Sequence, residues 1–220
     1  MNKSNIKSHT KKVQRTAHYY SIGEANPQVE YFWIVTHGYG QLASKIIHKF
    51  EGFDDGKHLI VAPEGLNKFY WKRPQTGATW MTSEHRLDEI ADYTAYIRDL
   101  YDEYLAQLSP NVKVILFGFS QGCQTQLRWI MNELPAFDHL VLWAGILPDD
   151  LDYTPQAAYF GDKKIHWVYG NEDEFLNEKI LDWHQNFAKQ QQLNMRIHTF
   201  EGKHRIDRKV LKELWEKWLN

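Results

Sequence analysis

The sequence predicts an α/β fold with a mostly parallel central sheet and helices on both faces. Three observations lead there. Compact apolar runs alternate with runs of helical periodicity from about residue 30 to the end. The apolar runs are nearly continuous rather than alternating, which is the pattern of strands buried on both faces. With 220 residues, 43% hydrophobic and 15% aromatic, the chain has enough apolar mass for one sizeable core. Neither an internal repeat nor a linker interrupts it, so one domain is expected over residues 12–220, after a flexible basic tail at 1–11.

The elements follow in order. VQRTAHYYSIG and EYFWIVTHG read as strands, with Gly23 and Pro27 marking the turn between them. QLASKIIHKF reads as a short helix and HLIVAPE (58–64) as a strand. The aromatic stretch GLNKFYWKRPQTGATWM (65–81) reads as a long loop. A helix is expected from about Ser83 to Leu108, with Leu87, Ile90, Ile97, Leu100, Tyr101, Tyr104 and Leu108 near one face and Ser109-Pro110 ending it. VKVILF (112–117) is a strand. It leads into a helix from about Gln121 to Leu134, with Leu127, Ile130, Met131 and Leu134 on one face, and then to the strand HLVLWAG (139–145). KIHWVYG, the helix FLNEKILDWHQNFAKQ, MRIHTF and the helix DRKVLKELWEKWL complete the series, the last with Val210, Leu211, Leu214, Trp215 and Trp218 inward.

Composition excludes some roles. Twenty-six basic and 28 acidic side chains leave a formal charge of -2, so no general attraction to nucleic acid is expected. No apolar run approaches the roughly 18–20 residues that cross a bilayer, and membrane insertion is not expected. The lone cysteine, Cys123, and an N-terminus with no apolar signal region suggest a cytoplasmic location. The 11 histidines form neither HExxH nor a set with CxxC, so neither a metal nor another cofactor is expected.

In sheets of this kind ligands bind beyond the carboxyl ends of the strands. WIVT ends in His37-Gly38-Tyr39-Gly40, VILF in Gly118-Phe119-Ser120-Gln121-Gly122, HWVY in Gly170-Asn171-Glu172-Asp173, and IHTF in Glu201-Gly202-Lys203-His204. The order serine, acid, histidine is that of the α/β-hydrolases, and a strand, a sharp turn and a helix are what a nucleophile elbow at Ser120 requires. A serine hydroxyl attacks poorly until a histidine takes its proton, and a carboxylate must fix that histidine's tautomer. Glycines at 118 and 122 let the helix approach the strand. Two backbone N–H groups, of Gln121 at the helix start and of Tyr39 in the glycine-flexed loop, are positioned for an oxyanion.

Each role has competitors. Ser120 could be a helix N-cap, although its context favours the elbow. Glu172 and Glu174 compete with Asp173, which stands three residues past Gly170 and is the shorter carboxylate. His204 is preferred to His198, which falls within a strand, and to His37, which reads as a packing residue shaping its loop. Cys123, three residues into the helix, reads as buried rather than reactive.

At HGYG, APEG, GFSQG, GNED and GKH, over about residues 30–205, the chain resembles the phospholipase/carboxylesterase family of α/β-hydrolases, which includes acyl-protein thioesterases and small carboxylesterases. The resemblance implies Ser120 as nucleophile, Asp173 as acid, His204 as base, and the backbones of Tyr39 and Gln121 as oxyanion hole. Cys123, Gln41 and Lys203 depart from the usual glycine, acidic and small residues at their positions.

The expected activity is hydrolysis of short to medium acyl esters through an acyl-enzyme, with thioesters or lysophospholipids as alternatives on the same triad. An idle binding protein, or a peptidase or acyltransferase, are the readings of other classes. Residues 146–163 are too short and polar for a lid domain, so an open site is expected. Its walls are sought in Phe69, Tyr70, Trp71 and Trp80 of the aromatic stretch and in Ile146 and Leu147, with Trp80 and Leu147 expected to line the substrate pocket.

Overall fold

The structure is a computed structural model that describes residues 6–219. Of the expected tail, residues 1–5 lie outside the described residues, while 6–11 are exposed and form neither helix nor strand. Nine strands are described, β1 (Tyr19–Ile22), β2 (Tyr31–Thr36), β3 (His58–Pro63), β4 (Asn67–Lys72), β5 (Gln75–Thr79), β6 (Lys113–Phe119), β7 (His139–Trp143), β8 (Lys164–Gly170) and β9 (Met195–Phe200). The α-helices are α1 (Ala43–Ile46), α2 (Arg86–Leu105), α3 (Gln121–Glu133), α4 (Ala157–Phe160), α5 (Glu178–Gln190) and α6 (Arg208–Leu219).

Seven strands form one sheet in the order β1-β3-β2-β6-β7-β8-β9. All of its pairs are parallel except that of the edge strand β1, which runs antiparallel to β3. Every residue of β3 and β7 is buried, as are all but the first of β6 and β8, which explains their unbroken apolar runs. Side chains alternate between two cores. Phe32, Ile34, Leu116, Leu142 and Trp167 pack with α2, α3 and α5. Trp33, Val35, Ile115, Phe117, Trp143 and Val168 pack with α1, the 3₁₀ stretch after it and α6. Burying one such aliphatic side chain contributes about 1.5–3 kcal/mol.

Four details differ from the expectation. The aromatic stretch at 65–81 is largely a β-hairpin, β4 paired antiparallel with β5 and separate from the main sheet, because the chain reverses after Lys72 and β5 is bonded to the loop after β2 through Ala78. The N-terminal run contributes strand only at Tyr19–Ile22. Leu87 is 75% exposed, because it lies in the first turn of α2, outside the stripe of Ile90, Tyr93, Ile97, Leu100 and Tyr101 that faces the core. Leu134 is half-exposed because it caps α3 with φ 48°, which swings it off the buried face.

Candidate active site

The carboxyl ends of β2, β6, β8 and β9 bring the predicted residues together. Ser120 follows β6 with φ 53° and ψ -118°, a backbone conformation that L-residues rarely adopt and that turns the chain from strand to helix in one step. It is held by its own N–H, which donates to Trp143 O on the neighbouring strand at 2.9 Å. The turn needs bare backbone on either side. A Cβ on Gly118 would lie 2.6 Å from Cys123 N, and one on Gly122 would lie 2.2 Å from Thr36 O.

Ser120 Oγ is 3.0 Å from His204 Nε2, and His204 Nδ1 is 2.8 Å from Asp173 Oδ2. The Asp173 side chain is fully buried and its Oδ1 accepts the Phe175 N–H at 2.9 Å, so one oxygen is fixed by backbone and the other faces the imidazole. Glu172 and Glu174, its competitors, are exposed. His198 is elsewhere, its Nε2 3.2 Å from Nδ1 of His166 within the sheet. His204 is flanked by Phe119 and Phe175, at ring-centroid distances of 5.1 and 4.7 Å, and neither aromatic was anticipated in that place.

His37 is a buried scaffold residue. Burial lowers its pKa from 6.5 to about 4, so it is neutral at pH 7. Its Nδ1 then donates to Gly38 O at 2.8 Å, while Nε2 accepts the Gly65 N–H at 2.9 Å. Among the described residues neither the Tyr39 N–H nor the Gln121 N–H makes a hydrogen bond; Gln121 follows Ser120 directly, and Gly38, which precedes Tyr39, packs so close to Ser120 that an added Cβ would be 3.2 Å from Ser120 Cβ. Cys123 is fully buried, its Sγ 3.1 Å from Gly118 O, and burial raises its thiol pKa.

A cleft of about 290 Å³ opens at Ser120 and His204, walled by Ile146, Phe175, Leu176 and Ile180, with Gln124 of α3 at its side. Of the two residues expected to line the pocket, neither does. Trp80 is 1% exposed because its indole is drawn inward to donate to His37 O at 2.9 Å and to pack edge-on to Tyr93. Leu147 is 1% exposed, in the core, its N–H donating to His184 Nε2 at 2.9 Å, while its neighbour Ile146 turns to the cleft. Leu176 and Ile180 had a legible signal, being apolar three and seven residues past Asp173 at the entry to α5. Phe69, Tyr70 and Trp71 stand outside the cleft. Phe69 and Trp71 pack on the exposed ring of Tyr39 at 5.2 and 5.5 Å.

No group of three or more His, Cys, Asp or Glu suited to a metal occurs among the described residues, and none of their helices is long and apolar enough to cross a membrane.

A sequence model described as phospholipase/carboxylesterase matches residues 17–218. No curated protein matches the sequence. Among solved structures, that of acyl-protein thioesterase 2 from Zea mays is similar with a TM-score of 0.71 at 14% identity, over 93% of this chain and 98% of that one. A carboxylesterase from Mesorhizobium loti is similar with a TM-score of 0.67 at 13% identity, over 91% and 94%. A phospholipase/carboxylesterase from Dyadobacter fermentans is similar with a TM-score of 0.66 at 15% identity, over 95% and 99%. At such identities the likeness establishes the fold, that of the α/β-hydrolases.

Proposed function

The chain belongs to the phospholipase/carboxylesterase family, and from that membership we propose that it is a serine hydrolase of carboxylic esters with short to medium acyl chains. The observation that carries the reading is the unbroken line from Ser120 Oγ through His204 to a buried carboxylate, at 3.0 and 2.8 Å, opening on an apolar cleft.

In this reading Ser120 Oγ attacks the ester carbonyl while His204 Nε2 takes its proton, and Asp173 holds Nδ1 protonated and stabilises the imidazolium. The tetrahedral oxyanion accepts hydrogen bonds from the N–H groups of Tyr39 and Gln121, which are free to donate. His204 returns the proton to the departing alcohol, leaving an acyl-enzyme. Water, deprotonated by the same imidazole, then releases the acid and restores Ser120. The cleft's volume of about 290 Å³ is just below the roughly 300–1,000 Å³ usual for ligand sites, which supports a short to medium acyl group.

The test is hydrolysis of p-nitrophenyl esters from C2 to C16, with acyl-thioesters and lysophospholipids beside them. The reading expects a maximum in kcat/KM at C4 to C8 esters. A maximum on thioesters or lysophospholipids would move the substrate class while keeping the triad. Absence of turnover throughout would favour a binding protein with an idle serine.

A further inference from the structure

We propose that the side chain of Gln121 is a positioning residue, whose amide fixes the gap between the two backbone N–H groups that receive the oxyanion. The proposal rests on the serine-hydrolase reading above and assigns the Gln121 side chain a task separate from that of its backbone.

The observation is a chain of hydrogen bonds that joins the two halves of the oxyanion site through β5. Gln121 Nε2 donates to Met81 O at 3.0 Å and Oε1 accepts the Trp80 N–H at 3.2 Å, while the Thr79 hydroxyl, with one proton to give, lies 3.0 Å from both Gln121 Oε1 and Met81 O. Those three residues form the end of β5 and its exit. The same segment holds the loop that carries Tyr39. Gly40 N–H donates to Ala78 O at 2.9 Å, Ala78 N–H to Gln41 O at 3.1 Å, and Trp80 Nε1 to His37 O at 2.9 Å. The loop is closed on itself by Gly38 N–H, which donates to Gln41 Oε1 at 3.0 Å.

The loop and β5 therefore move as one body, and Gln121 ties that body to the elbow. Among the described residues no other side chain of α3 hydrogen-bonds to residues 75–82. The task needs an amide, since one end must donate to Met81 O and the other accept the Trp80 N–H, which neither a carboxylate nor an apolar side chain can do. Thr79 and Trp80 are buried, so water does not replace the lost partner. Oxyanion donors act only when charge develops on the substrate oxygen, so a shift of the Tyr39 N–H relative to the Gln121 N–H weakens the transition state and leaves ground-state binding nearly untouched.

The experiment compares wild type, Gln121→Met, Thr79→Val and the double variant. Each is checked for its melting transition, then assayed for kcat and KM on p-nitrophenyl butyrate and for affinity toward a trifluoromethyl ketone, which adds to serine to give a tetrahedral oxyanion. Gln121→Met is expected to lower kcat about 10- to 100-fold, part of the effect of deleting a whole donor, with KM within about threefold. Ketone affinity should fall by a factor similar to kcat. Thr79→Val, which lies outside the elbow and keeps the bonds of Gln121 to Met81 and Trp80, should lower kcat a few-fold, and the double variant should be no worse than Gln121→Met alone. Should Gln121→Met fail to fold, the kcat and ketone affinity of Thr79→Val decide the matter. Wild-type kcat in the folded variants, or a loss in KM with unchanged ketone affinity, would overturn the clamp. A wild-type protein that neither hydrolyses the ester nor binds the ketone would remove the serine-hydrolase reading and the proposal with it.

Discussion

Gly122 sits so close to Thr36 that a Cβ on it would stand 2.2 Å from the Thr36 carbonyl oxygen. The contact joins α3 to β2 directly behind the elbow, and Thr36 Oγ1 reinforces it by donating to Gly122 O at 2.9 Å. Gly122→Ala should therefore push α3 off the sheet, with a stability loss at or above the top of the about 1–3 kcal/mol typical of overpacking. Ester hydrolysis should fall with it, because Ser120 rides on the same turn. Guanidinium unfolding of the variant, beside its kcat, checks this. Unchanged stability would mean that the helix is less closely seated than described.

The three carboxylates after β8 can be ranked. Asp173 is buried against His204, whereas Glu172 and Glu174 are exposed. Asp173→Asn should lower kcat by about 10³–10⁴ by reversing the tautomer preference of His204. Glu172→Gln and Glu174→Gln should stay within about twofold. Steady-state kinetics on the three variants would relocate the acid if the order were reversed.

Acid should unfold this protein through its buried histidines. Burial lowers the pKa of His37, His139 and His184 to about 4 and, with His139 and His198 adjacent, that of His166 to about 2. Unfolded, each returns to about 6.5, so the unfolded chain binds more protons below that pH. Their contribution is complete above pH 6.5 and is lost as pH falls toward 4, and for His166 on toward 2, by about 1.4 kcal/mol per pH unit for each group. Urea unfolding at pH 7.5, 6 and 5 should show this decline, and His166→Leu should flatten it by one group. A stability independent of pH over that range would contradict these buried, neutral histidines.

Under the proposed ester-hydrolase reading, the walls of the cleft limit the acyl length. Ile180 lies on its wall at the start of α5. Ile180→Trp should take up cleft volume and shift the optimum by two to four carbons toward acetate, with kcat for p-nitrophenyl acetate within about twofold of wild type. Residues 146–163 form a loop, one 3₁₀ turn and the four-residue α4, which is no lid. Rates should therefore rise smoothly with substrate through its micellar limit. A jump at that limit would indicate an interface-activated surface.

Much of this architecture was legible because backbone chemistry demanded particular residues. The parallel sheet announces itself in β3, β6 and β7, whose burial on both faces requires unbroken apolar runs. Ser120 was legible because an elbow needs glycine at 118 and 122, and the meeting of Ser120, His204 and Asp173 follows from strand order. What escaped the sequence depended on side-chain direction. Trp80 and Leu147 are apolar residues near strand ends, as pocket residues would be, but a hydrogen bond to His37 O turns one indole inward and the core takes the other side chain. The hairpin at 67–79 was hidden by its turn, Arg73-Pro74, which interrupts the strand pattern and reads as loop.

The central claim, that Ser120 is the nucleophile, is tested most directly by labelling with a fluorophosphonate and locating the adduct by peptide mass, with Ser120→Ala assayed alongside. The account predicts a single adduct on Ser120. It also predicts no labelling of folded Ser120→Ala and a drop in kcat on the order of 10⁴ or more in that variant. An adduct on another residue, or ester hydrolysis at the wild-type rate by folded Ser120→Ala, would contradict it.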